Sequence, residues 1–347
     1  MIRIGLMGCG TVAGYGHLPA IAETPGLSLH ALLDPNRVHL NTAGERFKVP
    51  PERRFTDADA FFASKLDAVS VTSPAPFHFE NVMAAAKNGC HVLCEKPLAE
   101  SEEDGWKMVE AMKRASKHLF VGFIYRFSDM ATKIREVIRA GGIGQLRSIR
   151  LIYIWDCHGK YVRETGAAAS VVHPSEQSDP QGRRLNLRRD RFMREGGPLI
   201  DCGVHQIDLA RWWTGSEVSR FTGHGTRIDD DHAVPDHVFV HMTHANGVHS
   251  MIETSFSYGH TCRDQQVQYL FEAIGTEGVI RFNRDTNSFT LAQPAGTTQF
   301  EFKPEKNFSA MYEQFLKAIE TGEVGPFATG EDGIIATRIA REAVSQI

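Results

Sequence analysis

Over the first 125 residues, short apolar runs alternate with stretches in which apolar residues recur at helical spacing. The runs 2–7, 28–33, 68–71, 90–94 and 119–123, with a shorter one near Arg54, read as buried strands. Helical stretches end at Glu23, Gly44, Asn88 and Ser116, with Pro25-Gly26 as a breaker and Thr56 or Asp57 as a cap. Strand followed by helix through six strands predicts a mainly parallel, right-handed, doubly wound α/β sheet over residues 1–124.

After Tyr125 the pattern changes. Residues 129–140 read as a helix stopped by Gly141-Gly142, and 146–155 as a longer strand. Residues 156–196 are polar, charged and without period, and read as an irregular loop of a length that is usually functional or disordered. A helix over 199–213 follows. Strands at 237–242 and 248–258, joined by a type I′ turn at Asn246-Gly247, lead into strands at 265–274, 278–282, 288–291 and 298–302. Helices over 306–321 and 330–346 close the chain, the last reaching back to the first domain. Residues 125–347 therefore read as an α+β domain with a large, mostly antiparallel open sheet.

Composition adds exclusions. With 347 residues, 42% of them hydrophobic, the chain has material for two packed cores. A formal charge of −4 gives no reason to expect nucleic acid or an anionic membrane as partner. No apolar stretch approaches a membrane span and residues 1–10 lack a charged leader, so a cytoplasmic location is expected. The six cysteines are scattered without a CxxC pair, which argues for reduced, mostly buried thiols.

Candidate chemistry begins where the first strand meets Gly8-Cys9-Gly10-Thr11-Val12-Ala13. This is GxGxxA: the first glycine makes the turn, the second lets backbone approach a pyrophosphate, and free amides at the helix start hold phosphate. Gly8, Gly10, Thr11 and Val12 are cofactor candidates. Asp34, closing the second strand, can accept a ribose 2′-hydroxyl and repel a 2′-phosphate, which favours NAD over NADP; a helix N-cap before Pro35 is the plainer alternative. Arg37 can soften that preference. Ser73, Pro74, His78, Glu95, Lys96 and Arg126 complete the cofactor candidates.

Residues 89–98 read GCHVLCEKPL, an apolar run ending in Glu95, Lys96 and Pro97. Ligands bind beyond the carboxyl ends of strands in such sheets, so Lys96 points at the reactive crevice, the alternative being a solvated ion pair. Pro97 restricts Lys96 to extended backbone. On the 199–213 helix, Asp201, His205 and Asp208 share one face opposite Leu209, Trp212 and Trp213 as core, and His205 has the side chain suited to a general base. A wet helix face is the alternative. Arg183, Arg184, Arg188, Arg189, Arg191 and Arg194 crowd the loop before it, as a basic patch or a solvated surface. Arg188, Arg189 and Arg191, together with Arg126 and Trp155, are candidates for substrate contact. Histidines are dense between His205 and His260, but no convergent ligand set emerges, so no metal site is assigned.

With GCGTVA, CEKPLA and GGPLIDCGVHQIDLARWW in order, the chain resembles the glucose-fructose oxidoreductase, inositol dehydrogenase and MocA family over nearly its whole length. The resemblance implies a Rossmann domain with a mixed-sheet domain, NAD as cofactor, and a cis peptide before Pro97. It also implies dimers or tetramers packed through the second-domain sheet, and Lys96, Asp201 and His205 around the nicotinamide and the reacting hydroxyl of a sugar, cyclitol or polyol. Relatives that use a transient oxidation for glycoside cleavage, elimination or epimerisation, and a non-catalytic dinucleotide sensor, are the rival readings. Ala13 in the third glycine position and Ala75 after Pro74, where asparagine is common, depart from the family pattern.

Overall fold

The computed structural model describes residues 1–154, 160–161, 178–259, 262, 267–303 and 306–347. These divide into two compact units, 1–127 with 306–337, and 128–305 with 338–347. The two closing helices, which the sequence reading gives to the second domain, thus group with the first unit up to residue 337.

The first unit is built on a seven-stranded sheet in the order β15-β6-β5-β4-β1-β2-β3. Its strands are β1 (Ile2–Met7), β2 (Leu27–Leu33), β3 (Arg54–Phe55), β4 (Ala68–Val71), β5 (His91–Cys94), β6 (Leu119–Val121) and β15 (Ala328–Thr329). All pairings are parallel except that of β15 with β6. Ile4, Leu6, Val69, Val71, Val92 and Leu93 are wholly buried, as strands covered on both faces require. Helices follow the strands with side-chain caps where they start: Asn36, Asp57 and Ser101 each accept from the first turn of the helix they open. The order places β1 between β4 and β2, the switch point where a crevice opens beyond the strand ends.

The second unit carries an eight-stranded sheet in the order β14-β13-β12-β11-β7-β10-β9-β8. These are β7 (Leu146–Ile154), β8 (Val218–Thr226), β9 (His237–His244), β10 (His249–Ser255), β11 (Gln268–Gly275), β12 (Val279–Asn283), β13 (Ser288–Gln293) and β14 (Gly296–Gln299). Among the described residues only β10 with β7 is parallel. Val238, Val240, Met242 and Ile252 point into the core, while His224, His241, His249 and Arg281 on the other face are exposed.

Three expectations are corrected. The β9–β10 turn is not type I′, because only Gly247 takes a positive φ (83°), whereas that turn needs one at Asn246 too. Asn246 instead accepts from the Val248 N–H and donates to the Thr214 carbonyl. The arginine-rich stretch is not wholly irregular: Leu187–Arg194 is a helix capped by Asn186. Both glycine-led helices open with a π turn, at Ala13–His17 and Leu199–Gly203, before α-helices Leu18–Glu23 and Val204–Thr214.

Candidate active-site residues in each unit

In the first unit, Gly8 follows β1 at φ 101°, and a Cβ there would lie 2.6 Å from the Ser73 backbone. Only glycine makes this turn. A Cβ on Gly10 would meet nothing within 4 Å, so backbone beside open space begins the helix, as a bound pyrophosphate requires. Thr11 is exposed and Val12 half-buried at its rim. Asp34 is fixed next to it: its carboxylate accepts from the Cys9 N–H and the Asn36 N–H, both at 2.7 Å. The helix that follows is capped by Asn36, so the N-cap alternative for Asp34 falls away. Arg37 is exposed at that helix start. Burial and the neighbouring Asp34 carboxylate push the Cys9 thiol up to about 12, so it stays protonated.

Beyond β4, the Thr72 hydroxyl donates to the Gly8 carbonyl at 2.7 Å, Asn81 donates to the Ser73 hydroxyl at 3.0 Å, and Pro74 is exposed. His78 does not face open space. Its ring nitrogens lie 2.9 Å from the Pro97 carbonyl and 2.8 Å from that of Ser73, so it bridges the two turns, and burial pushes its pKa down. The Lys96–Pro97 peptide is cis. Lys96 is half-buried, and Glu95 beside it is 9% exposed.

Glu95 leads to three residues that are not among the sequence candidates. Its Oε1 lies 2.9 Å from His17 Nε2, His17 Nδ1 lies 2.7 Å from the Tyr312 hydroxyl, and that hydroxyl lies 2.7 Å from Ser70 Oγ. His17, Tyr312 and Ser70 are each wholly buried. One signal was in the sequence: His17 sits in the stripe formed by Ala13, Ala20 and Ile21, where an apolar residue belongs. Arg126, taken as a cofactor and substrate contact, is buried and donates to the carbonyls of Pro326 and Phe327 at 3.3 and 2.9 Å and to Asp332 at 3.4 Å. These bonds anchor β15 and the helix after it.

In the second unit, Gly196 and Gly197 take positive φ before Pro198 and the π turn. Asp201 lies in that turn, half-buried, and accepts from the Cys202 thiol at 3.4 Å. His205 is 6% exposed and Asp208 wholly buried, so the wet-face alternative does not hold. Trp213 is core, donating to the Ala131 carbonyl at 3.0 Å, but Trp212 is half-buried with the Arg135 guanidinium 4.2 Å from its ring.

The arginines divide by environment. Arg189, 3% exposed, pairs with Asp229 at 2.8 Å and Asp190 at 3.1 Å, which corrects its assignment to substrate: its charge is used within the fold. Asp229 is 4% exposed, and despite that burial its hydrogen bonds and the Arg189 and Lys160 charges lower its pKa to about 2. Arg188 and Arg191 lie 4.6 and 4.8 Å from the Phe192 ring, and Arg191 is exposed. Trp155 lies outside the described residues. Among those described, no group of three or more His, Cys, Asp or Glu stands together as a metal site. His241 and His249 pair at 3.3 Å on the exposed sheet face, with the His224 ring 6.1 Å from that of His241.

Comparison with known proteins bears on the family and the fold. Residues 2–123 match the model of an oxidoreductase family with an NAD-binding Rossmann fold, and residues 131–281 match the GFO/IDH/MocA C-terminal domain. The chain is 30% identical over 281 residues to D-apiose dehydrogenase of Paraburkholderia graminis, covering 81% of this chain and 67% of that protein. It is 25% identical over 362 residues to scyllo-inositol 2-dehydrogenase (NAD(+)) of Bacillus subtilis, covering 99% and 93%. Its fold matches an oxidoreductase from Agrobacterium radiobacter, solved with NAD+, L-tartaric acid and magnesium, with a TM-score of 0.80 at 20% identity over 99% and 96% of the chains.

Proposed function

The chain belongs to the GFO/IDH/MocA family of NAD-binding oxidoreductases, and on that premise we propose that it interconverts a secondary alcohol of a sugar, cyclitol or related polyol with its ketone. The reading rests on one observation above others. Lys96 is a half-buried ammonium just beyond β5 of the NAD-binding unit, on a turn gripped by His78 at Pro97 and by His17 at Glu95. The Gly8–Gly10 turn would hold NAD, which would supply the hydride chemistry. Lys96 then donates a hydrogen bond to the reacting oxygen and stabilises its developing negative charge. His205 takes the hydroxyl proton, and Asp201 orients the substrate.

A polyol and sugar panel with NAD, followed by NADH absorbance and product analysis, tests this. NADH formation with a ketone product is the expected result. A changed product without net NADH would replace it with transient oxidation. We place the chain in the cytoplasm, in keeping with its free Cys9, Cys90, Cys94, Cys202 and Cys262. Among the described residues no helix is long and apolar enough to cross a membrane. We also assign the exposed face of the second-unit sheet to a homodimer or homotetramer contact, which light scattering on the purified chain checks.

A further inference from the structure

Helix Phe308–Thr321 brings Tyr312 to a buried chain of polar groups that ends on the residue before Lys96. The hydrogens along it can be followed. Glu95 as a carboxylate only accepts, so His17 Nε2 carries the hydrogen between them. Burial raises the Tyr312 phenol far above its ordinary pKa, so its oxygen keeps its proton and links His17 Nδ1 with Ser70. His17, Tyr312 and Ser70 are each 0% exposed.

The same residues are locked by packing. Phe308 meets the His17 ring edge-on at 5.1 Å, and Tyr312 does so at 5.8 Å. A Cβ on Gly16 would stand 2.5 Å from the Phe308 ring, so a glycine one residue before His17 is what allows this closure. A buried histidine with both nitrogens engaged and its ring held between aromatics has one orientation. What it holds in that orientation is the Glu95 carboxylate, and Glu95 is covalently joined to Lys96.

We propose that His17, backed by Tyr312 and Ser70, is a positioning residue for the Glu95-Lys96-Pro97 turn and sets the placement and the proton affinity of the Lys96 ammonium. This rests on the reading of Lys96 as the group facing the reacting oxygen. The imidazole touches neither substrate nor cofactor in this role. Its effect reaches the reaction through Glu95 alone.

The test reads Lys96 directly, so that it does not depend on which polyol is the substrate. Lysines of the full-length protein are reductively methylated with 13C-formaldehyde, and the Lys96 signal is assigned by its loss in Lys96→Arg and followed through a pH titration. In His17→Leu the Lys96 signal should move and titrate at a different pH, while NAD affinity measured by calorimetry stays the same. His17→Gln, which puts an amide nitrogen near the position of Nε2, should restore the wild-type titration in large part. Tyr312→Phe removes only a hydroxyl, keeps the ring packing, and should shift Lys96 in the same direction by less; it stands as the test if His17→Leu does not fold. With whichever polyol the wild type oxidises, His17→Leu should lower kcat by up to about a hundred-fold with KM little changed, the cost of a misplaced catalytic group. A Lys96 titration identical in wild type, His17→Leu and Tyr312→Phe would overturn the proposal and leave His17 as packing only. Failure of every polyol with the wild type would instead count against the proposed substrate class, and the titration would still decide the role of His17.

Discussion

A single ammonium at Lys96 is asked to offset charge developing on an alcohol oxygen, and mutagenesis of comparable electrostatic donors gives losses of about 10²–10³ in kcat. Lys96→Met should therefore lower turnover by about that factor while leaving NAD binding intact, since the glycine turn lies at the end of another strand; near-normal turnover would remove Lys96 from the mechanism. Asp34 is held by two backbone N–H donors at 2.7 Å beside the glycine turn, so NAD should bind more tightly than NADP and Asp34→Ala should narrow the gap. Equal affinities in the unmodified protein would sink that assignment. Gln206, next to His205, is wholly buried, and neither polar side-chain atom finds a hydrogen-bond partner among the described residues. Exchange for the similarly shaped Met should raise stability by about 1 kcal/mol, because an unsatisfied buried amide costs about 1–3 kcal/mol. A fall in the urea midpoint would show that the amide has a partner in solution. Gly8, Asp34 and Lys96 were legible because their signals are local; His17 and Tyr312 were not, because 295 positions separate them and only the closed fold joins them.

At the scale of elements, most strands and the capped helices followed from periodicity, whereas the edge strands β8 and β15 and two further devices did not. The π turns change the residues per turn within Ala13–His17 and Leu199–Gly203, so a constant helical period does not describe the step from Asp201 to His205. Helix Leu187–Arg194 was hidden for a different reason. Its sequence has almost no apolar face, and it is secured by Met193 and by burying Arg189 against Asp229. Breaking a buried pair on one side leaves the other charge stranded, at about 3–5 kcal/mol. Arg189→Met should destabilise the second unit by about that much, as read by urea unfolding. Because the Asp229 pKa is lowered to about 2, the pair's contribution is present above the ordinary carboxyl value of 3.8 and is lost as pH falls through about 2. A variant as stable as wild type at neutral pH would show that the pair merely breaks even.

For the whole molecule, the histidines at the amino ends of the first-unit strands set a limit on the acid side. His91 Nδ1 accepts from the His118 N–H at 3.2 Å, and its Nε2 lies 3.4 Å from the Lys117 ammonium. With Nδ1 accepting, the neutral ring carries its one hydrogen on Nε2, and a second proton would put a cation against Lys117. Burial, then Lys117 and His118, lower its pKa from 6.5 to about 4. His78, His118 and His244 are shifted in the same direction, each chiefly by burial. A base whose folded pKa is depressed binds protons more readily when unfolded, so its stabilisation is complete above 6.5 and drains away as pH falls towards 4. Depressed carboxyls such as Asp67 and Asp229 lose theirs only at lower pH, so the histidines act first. Urea midpoints should accordingly decline between pH 6.5 and 4, and His91→Gln, which cannot titrate, should flatten part of that slope while costing little at pH 7.5. An unchanged slope in the variant would mean that His91 is protonated in the folded protein well above pH 4 and that Lys117 moves aside to allow it.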